Sequence, residues 1–539
     1  MTDLGPIDRL LERASTLAGA WGARARRSTT PGQERALLRL FGVHGLDRSG
    51  RPLAGAVVDR YVDGGPGRLA GGIALPFTVA LLEYEIGAQE LALEVAAGTI
   101  DLGLEAELLE DPGRRAAAEV EATRLGAIAS ARIDANRTAR REILDLFGDA
   151  PTPWLGTAVP DPAVDDARRT IADLVRRGAD LLQVEIPMGR ELATRLSEAG
   201  FEALGFDPPG DAGDLAPAGS QRGLAVLRRA ADEAAAERRR YVRLATIAPG
   251  LAAPEQAVVA AFERIDVAVA DAVVEIVDGQ VDPDRALADH AFALRLYRRG
   301  GPLVVVGAGP LVVAPDLATG VPSSAVVRAG RALALQALGV ALARDAGLPA
   351  DQIVAGALPG WSVEESDATT LAIAQIAVRR ALFPDLALGF SEPAVHVVDR
   401  PALAARRWRS IVMAGLPFAG RTAFVALARS QGREPVDGTA DDLAADDLAG
   451  DDLAADDLVA VREGFAIAAG VATAIDPGAI RGPALDQARD CVAAAVRTIE
   501  ELAESGWRAV LGVPLEGSRR DLLGADAVVE RSGGFDPLA

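Results

Sequence analysis

Residues 241–267 read YVRLATIAPGLAAPEQAVVAAFERIDV. An apolar run at 241–246 empties through Ala248, Pro249 and Gly250 into apolar residues at three- and four-residue spacing, and a second apolar run opens at Ile265. Strand periodicity thus gives way to helical periodicity and returns. The unit recurs along the chain: WLGTAV (154–159), ADLLQVEI (179–186), YVRLAT (241–246), IDVAVA (265–270), PLVVVGA (302–308), QIVAGAL (352–358) and AVHVV (394–398) are separated by helical patterns such as AVDDARRTIADLVRRG and DRALADHAFALRLYRRG. Near-continuous apolar strands alternating with helices require a parallel sheet covered on both faces. Seven or eight such units over roughly 250 residues predict an α/β fold with a (β/α)8 barrel, and an open doubly wound sheet is the competing arrangement. The active site of such a barrel lies at the C-terminal ends of its strands. The stretch RLATIAPGL (243–251) therefore raises a question, because it ends in Ala245, Ile247, Ala248 and Pro249 where a mouth should offer hydroxyls, acids or bases.

The flanks read differently. Residues 1–150 carry helical patterns broken by Gly and Pro and are expected to form a helical accessory region, with the barrel over 151–400. Residues 401–539 are expected to be a C-terminal helical region interrupted by an acidic insertion at 437–460, where paired aspartates and a leucine repeat every five residues. That period does not hold one face of a 3.6-residue helix, so a mobile insertion is expected rather than a structured repeat. A calcium loop is disfavoured there by the missing glycine and terminal glutamate.

Composition narrows the function. The 539 residues exceed what a single core supports. The net charge of −21 argues against nucleic acid, whose phosphates need a concentrated basic surface. No apolar run reaches the roughly 18 residues of a membrane span, and the N-terminus lacks a signal core, so a cytoplasmic protein without a membrane partner is expected. The lone Cys491 excludes an internal disulfide and a cysteine metal site, and its helical context predicts a buried small apolar role. All 56 basic residues are arginine, so no side chain of this chain can form a Schiff base.

Candidate site residues follow from the strand ends. Glu185 closes the LLQVEI run and Asp271 follows IDVAVA, which makes them the candidate acid and base. Gly307 and Gly309 end the VVVGAG strand and Gly250 follows RLATIAP, where backbone amides could meet a phosphate. Ser220 reads as a helix N-cap with Arg222 in the first turn, and Arg222 and Arg243 are the candidate cations for an anionic group. His44, His290 and His396 share no metal-ligand spacing, so no metal site is expected, and surface packing is the expectation for His290.

ERALLRLFGVHGLD (34–47), LALEVAAGTIDL (91–102), 241–267 and GLPADQIVAGALP (347–359) together resemble, in order and spacing, the α subunit of the lysine 5,6-aminomutase family. The resemblance implies a barrel that binds pyridoxal phosphate and works with a small β subunit carrying adenosylcobalamin and the Schiff-base lysine. It also implies a radical 1,2-amino shift on an amino-acid substrate such as D-lysine or β-lysine. The absence of lysine and of any Asp-x-His-x-x-Gly segment here is consistent with those groups coming in trans. The family positions that reach the cofactor align with Ile186, Glu191, Pro249, Val274, Gly279 and Pro310, none of which keeps the original chemistry. Three alternatives stay open on the residues: an aminomutase subunit, a non-catalytic or repurposed barrel without pyridoxal phosphate, and an unrelated barrel enzyme using Glu185 and Asp271.

Overall fold

The computed structural model describes residues 4–49, 51–63, 66–159, 167–185, 218–247, 253–277, 282–307, 324–357, 368–391, 422–427, 482–507 and 528–532. Eight strands, β1 (Trp154–Ala158), β2 (Leu181–Glu185), β3 (Arg243–Ile247), β4 (Val267–Val269), β5 (Leu303–Val306), β6 (Ile353–Ala357), β7 (Ala387–Ser391) and β8 (Thr422–Leu427), form a closed barrel in chain order. Every neighbouring pair is parallel, including β8 against β1, where Trp154 lies opposite Phe424. The open sheet is thereby excluded.

Six of the seven expected strands fall on β1 to β6. The seventh, at 394–398, lies outside the described residues. The strands that complete the barrel, ALGFS and TAFVAL, were not anticipated, and the second lies beyond the expected barrel limit of 400. AVHVV is richer in β-branched residues than ALGFS, and propensity pulled the reading toward it, whereas barrel closure sets which segment pairs. The acidic stretch 437–460 also lies outside the described residues.

Alternation along the strands builds two apolar layers. Trp154, Leu181, Ala245, Val267, Val305 and Val354 pack together as one cluster inside the barrel. Their sequence neighbours Leu182, Leu244, Ala268, Val304 and Ile353 join the larger cluster formed with the surrounding helices. Each such buried Val or Leu contributes about 1.5–3 kcal/mol.

The floor of the barrel is tied by two aspartates that precede strands. Asp180, just before β2, accepts from the amide of Leu155 in β1 and from Arg238. Asp266, just before β4, accepts from the amide of Leu244 in β3, from Arg228 and Arg140, and from the Tyr241 hydroxyl. Arg140 belongs to α3 (Pro112–Phe147), a 36-residue helix that also donates to the carbonyls of Ala261, Ile265 and Gly300. That helix is a clamp across the floor.

Helix α1 (Ile7–Ala25) packs on α7 (Ala325–Asp345) and α9 (Pro483–Ser505), and α9 also packs on α8 (Ala368–Leu382), so both ends of the chain complete the helical ring. The short strands Ser28–Thr29 and Val529–Glu530 pair antiparallel. Residues 37–122 contribute a separate apolar cluster that includes Leu53, Phe77 and Leu91. It is linked to the barrel by α2 (Pro31–Leu40), whose ten residues are all buried. There Glu255, on α4 (Ala253–Phe262), accepts from Arg35 at 2.9 Å and Arg39 at 2.8 Å. Helix Ala325–Asp345 passes for a membrane span by length and composition alone, but Arg328 and Arg331 interrupt its apolar run and it is a mostly buried core helix of the ring.

Candidate functional site

The C-terminal mouth is where the barrel should work, and its described rim is nearly all apolar. The last strand residues are Ala158, Glu185, Ile247, Val269, Val306, Ala357, Ser391 and Leu427, so the eight strands end in one acid and one hydroxyl. The apolar end of strand β3 is therefore shared by most of the described strand ends.

Two of the sequence candidates, Asp271 and Gly307, bond to each other. Asp271 lies 5% exposed, just past β4, and its carboxylate accepts from the amide of Gly307 at 2.5 Å and from that of Val273 at 2.9 Å. The second bond caps α5 (Ala272–Val277). The amide that a phosphate would use is thus taken by a resident carboxylate. Gly307 has φ +77°, and an added Cβ would stand 2.8 Å from the Gln336 side chain, so both backbone and space require glycine. Gln336 in turn donates to the carbonyls of Val306 and Gly356 and accepts from Arg379 at 2.9 Å. This network welds the ends of β5 and β6 to the helices behind them.

Arg243 does not reach the mouth. As the first residue of β3 it lies at the floor, 3.5 Å from the ring centre of Trp154, and pairs with Asp149 at 2.6 Å. A strand's first and last residues point to opposite ends of a parallel barrel, which makes this cation unavailable to a ligand at the rim. Glu185 ends β2, and Arg222 lies in the helix Ala218–Arg238, which starts ahead of the expected cap Ser220. The side chains of Glu185 and Arg222, together with Gly250 and Gly309, lie outside the described residues.

Behind the β4 rim is a polar group that the sequence reading passed over. Glu275, on α5, is buried with neither carboxyl oxygen hydrogen-bonded. Burial, then the charges of Asp289 and Asp271, push its carboxyl well above the usual range, and Arg285 only partly opposes them. Arg285 and Asp289, both on α6 (Pro283–Gly300), pair at 2.5 Å, and the Thr30 hydroxyl donates to Asp289. His290, expected at the surface, is 2% exposed, and burial lowers its imidazole to about 4. The signal for Glu275 was an acid amid Val273, Val274, Ile276 and Val277. Among the described residues no three His, Cys, Asp or Glu side chains are grouped to hold a metal.

Comparison with known proteins places the barrel. The D-lysine 5,6-aminomutase TIM-barrel domain of the alpha subunit matches residues 3–399. The lysine 5,6-aminomutase alpha subunit of Fusobacterium nucleatum is 27% identical over 393 residues, 72% of this chain and 71% of that one. The corresponding subunit of Acetoanaerobium sticklandii is 26% identical over the same shares. A match that spans most of the chain and runs from α1 through seven of the eight barrel strands establishes that the chain belongs to the lysine 5,6-aminomutase α-subunit family.

Proposed function

We propose that this chain is the barrel subunit of a cytoplasmic aminomutase-type isomerase that shifts an amino group between adjacent carbons of a basic amino acid such as D-lysine or β-lysine. In this reading a small partner subunit brings adenosylcobalamin and the lysine that this chain lacks. The observation that carries it is family membership over a complete (β/α)8 barrel in a chain with no lysine.

Pyridoxal phosphate does not fit the described rim of this chain. An imine needs a lysine, and none exists. A phosphate needs cations or free amides, yet no strand ends in a cation, Arg243 is at the floor, and the Gly307 amide is held by Asp271. Here the chain's own residues build and close the barrel and hold the β4–β5 turn. The same rim favours a second reading, a repurposed barrel that has lost the cofactor.

Co-expression with a small subunit bearing an Asp-x-His-x-x-Gly segment separates the two. The aminomutase reading expects isomerised product from D-lysine or β-lysine with both subunits and cofactors present, and none with either subunit alone. A stable, cobalamin-loaded complex that isomerises neither amine contradicts it and leaves the repurposed barrel.

A further inference from the structure

A (β/α)8 barrel fills its interior with successive layers of four side chains drawn from alternate strands, most of them bulky. Following the strand register round this barrel assigns its layers. The lowest holds Trp154, Arg243, Leu303 and Ala387, and the next takes Leu181, Val267 and Val354 from β2, β4 and β6. The third layer should complete the packing, yet it consists of Gly156, Ala245, Val305 and Gly389. Above it stand Gln183, Val269 and Gly356. Three glycines on β1, β6 and β7 therefore line one side of the upper barrel, and Gln183 faces them from β2, the strand across from β6. All three lie in extended strand outside the left-handed region, so their contribution is the missing side chain and not a special backbone. Gln183 and Val269 are part-exposed while the glycines are buried. Among the described residues nothing bonds to the Gln183 carboxamide.

We propose that the upper barrel is a binding well for a short aliphatic molecule with an uncharged hydrogen-bonding end, and that Gln183 recognises that end. Native interiors are close-packed, so a layer of two glycines, an alanine and a valine leaves volume that a guest can take. Ala245, Val269 and Val305 make the facing wall apolar, and no described side chain at this level is charged. An ion entering the well would lose its water without compensation, whereas an alkyl chain loses nothing. The Gln183 carboxamide offers two donors and an acceptor, the set that a neutral amide matches. The occupant is held by packing and hydrogen bonds, with no bond made or broken. The well rests on the closed barrel and not on the aminomutase reading, so either can fail without the other.

Thermal unfolding of the full chain with pentanamide, sodium pentanoate or pentylammonium chloride at equal ionic strength tests it. The melting temperature should climb and saturate with pentanamide and stay level with the two ions, whose chains have the same length. Gly156→Val fills the third layer, so it should hold or raise the melting temperature of the free chain and abolish the pentanamide shift. Gln183→Leu should keep the fold and shrink that shift. No shift with pentanamide, an equal shift with all three compounds, or a shift that survives Gly156→Val would overturn the well. So would a destabilised Gly156→Val chain, because the protein's own residues would then already occupy the space.

Discussion

Asp266 gathers four hydrogen bonds at the barrel floor, accepting from two arginines, a tyrosine and a strand amide. Burial pushes its carboxyl up, but Arg228 and Arg140 outweigh that and hold it below the usual range. Asp266→Ala leaves two guanidiniums without their carboxylate and is expected to cost about 3–5 kcal/mol, read by urea unfolding. The depressed ionisation also means that this stability is present above the unfolded value of 3.8 and is lost as pH falls through the lower folded one. Glu275 has the opposite sign. Its raised folded value means stability present below 4.5 is lost as pH rises, so Glu275→Gln should gain on the wild type progressively above about pH 4.5. An unchanged difference between pH 4 and pH 8 would contradict this. At this scale the sequence was informative about residue type and poor on role. Asp271 and Gly307 were found as chemical groups, but only the fold shows that each satisfies the other. Arg243 was placed on the correct strand but at the wrong end of it, because the strand's first residue was read as part of its mouth.

Among the elements, α2 shows how a charged sequence can be a buried one. ERALLRL carries Glu34, Arg35 and Arg39, yet all are 9% exposed or less, and Glu255 answers both arginines from α4. Glu255→Ala should loosen the N-terminal layer from the barrel, costing about 3–5 kcal/mol because two buried cations lose their counterion. Limited proteolysis should then cut near α2 sooner than in the wild type, and an unchanged digestion pattern would contradict the role. Gly307→Ala should be severe as well, since it demands φ +77° of an L-residue and places a methyl 2.8 Å from Gln336. Strands β1 to β6 were legible because each is a dense apolar run between helical patterns. Strands β7 and β8 were not, since five or six residues with Gly, Ala and Ser carry little periodic signal and long-range closure selects them.

For the whole molecule, composition and rhythm carried the barrel and the resemblance carried the family, while the rim chemistry depends on which amides and charges the fold has already used. Deleting residues 439–458 should leave the melting temperature nearly unchanged, because that stretch offers few apolar groups to bury and its aspartates repel one another. A loss above about 2 kcal/mol would show that it packs as part of the fold. The central claim is that the described rim of this barrel, taken alone, does not offer the groups that hold pyridoxal phosphate. Titration calorimetry of the purified full chain with pyridoxal phosphate, with and without the small subunit, tests it most directly. The chain alone should bind in the high-micromolar range or more weakly, about 5–6 kcal/mol, with tight binding only in the complex if the aminomutase reading holds. Submicromolar affinity for the chain alone would contradict the account.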